Sequence, residues 1–179
     1  VRGPLFSGPI GHKATVARVA ALVGTRRPVV VLSNVWLAEA VCRSAGQVNL
    51  LVEPAGLRAG LRARRRHERD GRKLDVAVAG EDLPLGARAA SALIVDSLLE
   101  LDEEDGAAFV ADLVPFLNPG GLLVALDGTK DPAHEARVAG WFLAGALIAI
   151  GQERPREGAV LTSGRAPALA PGLIPTTCP

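Results

Sequence analysis

Asp112-Leu-Val-Pro-Phe-Leu-Asn-Pro-Gly-Gly-Leu-Leu-Val-Ala-Leu126 is the stretch from which the rest of the chain is read. It joins a helix end to a turn, Asn118-Pro119-Gly120-Gly121, and the turn to a short apolar run over residues 122–126. Proline cannot extend a helix and glycine tolerates positive φ, so the helix stops abruptly and feeds a strand. A strand without polar alternation is buried on both faces, as in a parallel sheet.

The same alternation extends in both directions. Upstream, apolar runs at 29–32, 48–52, 74–78 and 92–95 predict strands, and helical periodicity marks 12–23, 37–45 and 57–69. Gly24, Gly46 and Gly71 are plausible helix stops. Residues 80–88 read as loop with at most one helical turn. Asp102 caps a helix running to about Leu117, with Glu103, Glu104 and Asp105 where the helix dipole favours negative charge. Downstream, Asp131-Pro132 reads as N-cap and first helical position of a helix reaching about Ala146. Residues 148–153 and 159–163 flank 154–158 and form a hairpin. Strands alternating with helices imply a parallel sheet with right-handed crossovers. The expected fold is α/β: a Rossmann-like three-layer sandwich, mostly parallel, with an antiparallel C-terminal hairpin. One domain spans residues 1–165, with an irregular Gly/Pro arm at 1–11; residues 166–179 form a Pro-rich extended tail.

At 179 residues the chain can bury its own core. It is 49% hydrophobic and 22% charged with a net charge of +1, so composition makes no global case for a nucleic-acid or membrane partner. Cys42 and Cys178 are too few for a disulfide framework or a zinc cluster, and a cytoplasmic setting is expected. The longest apolar run, residues 141–150, has about half the roughly 20 residues a membrane helix needs. No stretch near Val1 has the order of a signal peptide. Arginine far outnumbers lysine while Met and Tyr are absent, which suggests a GC-rich coding sequence and weakens any single arginine as a signal.

From Val29 to Ala166 the chain resembles the class I S-adenosylmethionine (SAM) methyltransferases. The quoted stretch is similar to their helix-turn-strand signature. Glu81-Asp82-Leu83-Pro84-Leu85 looks like the segment after their third strand, and Ala92-Leu-Ile-Val-Asp-Ser-Leu-Leu-Glu-Leu101 looks like their fourth strand and its exit. The resemblance implies SAM as cofactor, contacted through Ser33, Asn34, Glu53, Glu81, Asp82 and Asp96. Glu53, 20 residues past Ser33, matches the acid that accepts from ribose hydroxyls; a strand-end carboxylate in water is its other reading. No metal is implied and no catalytic residue is assigned. The departure is the first strand-to-helix turn. Ser33, Val35 and Leu37 stand in three glycine places, Val31 in the acidic place, and Ala79 and Ala92 where relatives carry acids. Glycines serve there because ligand and backbone approach closely, so side chains should obstruct the site or remodel the loop. Two functions follow: a non-catalytic binding or assembly module, or an active SAM-dependent methyltransferase with an atypical loop, since methyl transfer rests on positioning. The short length, without a lid insert beyond the 1–11 arm, favours the module. A nicotinamide-dependent enzyme ranks third, its glycine loop being equally missing.

Other candidates carry alternatives. The helix at 57–69 presents Arg58, Arg62, Arg65, Arg66 and Arg69 to a nucleic acid or an acidic partner, or simply to water; no aromatics are interleaved for base stacking. A protein partner or a second copy is expected for a module. His12, His67 and His134 share no ligand spacing and read as structural or surface. Cys42 reads as a small core residue, Trp36 as core filler ahead of lid or interface anchor, and Asp96 as the best remaining polar candidate.

Overall fold

The computed structural model describes residues 9–79, 86–128, 131–156 and 159–168. Strands β1 (Val29–Leu32), β2 (Gln47–Val52), β3 (Lys73–Val78), β4 (Ala90–Asp96), β5 (Leu117–Asp127), β6 (Ile148–Arg156) and β7 (Ala159–Arg165) form one sheet. Their order is β3-β2-β1-β4-β5-β7-β6. The first five pair in parallel, and β7 runs antiparallel to both β5 and β6. Helices α1 (Pro9–Val23), α2 (Val35–Ala45) and α3 (Leu57–Arg69) cover one face; α4 (Glu103–Leu113) and α5 (Pro132–Ala144) cover the other. This is the expected three-layer sandwich with its antiparallel hairpin.

Strand alternation divides the core in two. Val29, Val31, Ile94, Val124 and Leu126 pack under α1–α3, whereas Val30, Leu32, Leu93, Val95 and Leu123 pack under α4 and α5. All four residues of β1 are buried, as its unbroken apolar run requires.

Several boundaries differ from the sequence reading. Residues 9–11 begin α1 instead of belonging to an irregular arm, and Pro9 suits a first helical position because its missing N–H would have no partner there; residues 1–8 lie outside the described residues. The helix expected to reach Leu117 ends at Leu113, and Pro115 tightens Val114–Phe116 into a 3-10 turn. Strand β5 starts at Leu117, so the Pro-Gly-Gly turn sits within it as a bulge: Ala90 faces Leu117, while Ala92 faces Leu122. Gly120, at φ 75°, supplies the left-handed step. Its N–H donates to Ala166 O at 3.0 Å and Ala166 N donates to Gly121 O at 2.8 Å, which anchors the start of the tail; residues 169–179 are outside the described set. The hairpin strands run longer than expected, to Arg156 and Arg165.

Ion pairs Arg18–Glu153 and Arg154–Glu135 tie α1 and α5 to β6. Among the described residues no helix is long and apolar enough to cross a membrane.

Candidate functional site

Strand order reverses between β1 and β4, which places a crevice at their carboxyl ends, the usual ligand position in open α/β sheets. Strand β1 stops at Leu32, and α2 starts at Val35, leaving a turn of two residues. Ser33 takes it through a left-handed conformation, φ 61°, while its N–H still donates to Leu51 O at 2.7 Å. Asn34 caps α2, its Oδ1 accepting from Leu37 N at 2.8 Å. The Asn34 Nδ2 then donates to Asp96 Oδ2 at 2.5 Å. That bond spans the crevice from the end of β1 to the end of β4.

The far side repeats the geometry. Ser97, directly after β4, is also left-handed at φ 63°, and its N–H donates to Leu126 O at 2.8 Å. A non-glycine residue in this region is uncommon and costs on the order of 1 kcal/mol or more, so the surrounding structure must hold both serines in place.

On the same edge, Asp127 closes β5 with 1% of its surface exposed. Its Oδ1 accepts from Leu99 N at 2.8 Å, and among the described residues Oδ2 has no hydrogen-bond partner. Burial pushes this carboxyl up to about 6, the Leu99 N–H pulls the other way, and the nearby Asp96 charge adds to the rise. Arg137, which also acts on Asp127, lies over the Trp141 ring with Cζ 5.2 Å from its centroid. Sequence reasoning passed over Asp127, although a carboxylate ending the run Leu122–Leu126 was legible as a polar group at the sheet's ligand edge.

Of the residues named from sequence, Ser33, Asn34, Glu53 and Asp96 share the carboxyl edge of the adjacent strands β2, β1 and β4, and Asn34 and Asp96 are hydrogen-bonded. Glu53 follows β2 and is exposed; its carbonyl accepts from Gly56 N at 2.8 Å. Glu81 and Asp82 lie outside the described residues. The three side chains in the glycine places behave differently from one another. Ser33 is exposed, Val35 is half-buried against the α1–α3 core, and Leu37 is 2% exposed within that core. Leu37 was expected to obstruct the turn; as the third residue of α2 it points into the core instead. Trp36, expected to be core filler, is half-buried and packs against the α1–α3 core; with Val16, Ala17, Ala40, Lys13 and Arg43 it also lines a groove of about 600 Å³ between α1 and α2. Its lining comes from α1 and α2 and includes no strand residue.

The remaining candidates are placed simply. Asp102 accepts from Asp105 N at 2.9 Å, so the acidic run is a helix start. His67 is buried under α3 with Nε2 3.8 Å from Glu39 Oε1. Cys42 is buried, outside any disulfide, and burial pushes its thiol up. Arg66 bonds Glu39 on α2 and so leaves the other arginines of its helix. Among the described residues no three His, Cys, Asp or Glu side chains converge as a metal site would require.

No protein-family model and no curated protein matches the sequence. Solved structures do match the fold. An O-methyltransferase family protein from Burkholderia thailandensis is 16% identical with a TM-score of 0.73, over 87% of this chain and 56% of that one. The N-methyltransferase NodS from Bradyrhizobium japonicum WM9, in complex with S-adenosyl-L-homocysteine, is 17% identical with a TM-score of 0.64, over 91% and 90%. The [4+2]-cyclase SpnF is 14% identical with a TM-score of 0.68, over 89% and 81%. The chain spans little more than half of the first of these, 56%. The likeness carries a methyltransferase-like, Rossmann-like fold. A cyclase on the same frame is a reminder that fold and reaction are separate matters.

Proposed function

We propose that this methyltransferase-like domain is a binding or assembly module whose cofactor crevice is closed by its own side chains. The Asn34–Asp96 hydrogen bond carries the reading. A nucleoside ligand seated at the β1/β4 edge needs backbone N–H groups it can approach and a carboxylate free to accept from it. Here the turn has no glycine, and its Asn34 amide is spent on the cap and on Asp96. The described residues therefore do not fit SAM as a glycine loop would, and no methyl-transfer step is derived. A module of this kind works through its outer surfaces, on a protein partner or a second copy.

An active SAM-dependent methyltransferase is the second reading. Ser33 and Glu53, exposed on neighbouring strand ends, favour it because both are able to hydrogen-bond a ribose. Calorimetric titration with SAM and with S-adenosyl-L-homocysteine separates the two. The module predicts no heat of binding at millimolar ligand; micromolar affinity for either ligand overturns it.

A further inference from the structure

Helix α3 has a charge arrangement that the crevice does not use. Its buried side consists of Gly60, Ala63 and His67. Gly60 is needed there, since a Cβ would meet Val76 Cγ1 at 2.9 Å. Arg58, Arg62, Arg65 and Arg69 are all exposed and follow one another at intervals of four, three and four residues. At 3.6 residues per turn they fall within about 60° of each other, on the side opposite the buried one, and extend along about 16 Å of helix. The flanking arginines are occupied: Arg64 Nε meets Glu68 Oε1 at 2.7 Å, and Arg66 Nη2 meets Glu39 Oε1 at 2.6 Å. Among the described residues, the four on the crest have no acidic partner; Arg62 Nε donates only to Arg58 O, at 3.3 Å.

We propose that this crest binds the phosphate backbone of a nucleic-acid duplex without reading its sequence. Guanidinium forks match phosphate oxygens, and one strand of a duplex carries a charge about every 3.4 Å, so a straight row of four cations meets phosphates in any register. Helix α3 has no Phe, Tyr or Trp, and its one aromatic ring, His67, is buried, so it offers no surface on which a single-stranded base could stack. A membrane-surface helix needs an apolar stripe beside its cations, whereas here the one large exposed apolar side chain of the helix is Leu61, 40% exposed. The anchors of a protein interface sit in packed, desolvated pockets, whereas the four crest arginines stand exposed along an open helix face. A regular polyanion requires neither. The inference is independent of whether the crevice accepts a ligand.

Fluorescence anisotropy of a short labelled DNA duplex, titrated across salt concentration, tests it. Four phosphate contacts give a log–log slope of about −3.6, a loss of on the order of 10²-fold in affinity between 50 and 200 mM salt. R62Q/R65Q should halve that slope, reducing the same loss to about tenfold. K13Q/R43Q, which removes two cations from α1 and α2 at equal charge cost, should leave it unchanged. Circular dichroism confirms that both variants are folded. Absence of duplex binding at low salt, an unchanged slope in R62Q/R65Q, or an equal change in K13Q/R43Q overturns the proposal. So does binding to anionic vesicles or polyglutamate without binding to duplex.

Discussion

The carboxamide of Asn34 holds Leu37 N with its oxygen and Asp96 with its nitrogen, so one side chain both starts α2 and bridges β1 to β4 at 2.5 Å. The cap and the closure of the crevice are therefore energetically linked, and the consequences can be measured.

Asn34→Ala removes a helix cap worth about 1 kcal/mol and a hydrogen bond to a charged acceptor worth about 1.5–3 kcal/mol. Chemical denaturation should show a loss of about 2–4 kcal/mol. Asn34→Asp keeps a capping oxygen but sets a carboxylate against Asp96; it should be destabilised at neutral pH and recover in acid, when one carboxyl takes up a proton and donates it to the other. Equal stability of Asn34→Asp and the parent protein at pH 7 would dismiss the bridge.

Asp127 makes stability depend on pH with a definite sign. Its carboxyl titrates near 6 in the fold against an ordinary 3.8, so the folded state binds the proton more tightly. Its contribution is fully present below pH about 4 and is lost as pH rises to about 6, on the order of 3 kcal/mol in all. The stability of Asp127→Asn relative to the parent should rise through that window and level off above it. A difference flat from pH 4 to 7 contradicts this.

Gly106 faces the Trp141 ring, where a Cβ would lie 2.5 Å from Cζ2 and Cη2. Gly106→Ala should therefore cost about 1–3 kcal/mol despite the higher helix propensity of alanine. Trp141→Phe in the same chain withdraws those ring atoms, and thermal unfolding of the double variant should show a smaller penalty from Gly106→Ala than in the parent.

Val35 and Leu37 should respond differently to glycine. Leu37 is a core residue, and truncating it costs about 2–5 kcal/mol, so Leu37→Gly should unfold the domain. Val35→Gly should stay folded and, if bulk in the turn is the obstacle, gain measurable heat with SAM in calorimetry. A folded, fully stable Leu37→Gly would contradict the position of that side chain.

Much of the fold was legible in the residues. Apolar runs without alternation at 29–32 and 122–126 marked strands buried on both faces, whereas Asn118-Pro119-Gly120-Gly121, read as the helix-to-strand turn, is a bulge within β5. Element ends were less so. The tightening at Pro115 and the entry of Pro9 into α1 are local proline effects that hydrophobic periodicity does not register, whereas the bulge opposite Ala90 depends on a strand distant in sequence. In the site, the missing glycines of 33–37 and the polar edge of Asn34, Glu53 and Asp96 were visible, whereas Asp127 was overlooked.

What the sequence determined alone is the order and type of the elements, because hydrophobic period and turn chemistry are properties of a few adjacent residues. Tertiary structure alone decided which groups meet: Asn34 with Asp96, 62 positions apart, Arg66 with Glu39 and away from the crest of α3, and Leu37 in the core instead of the crevice. Those pairings follow from strand order and from the direction in which each Cβ leaves its helix or strand, and neither is written in local spacing.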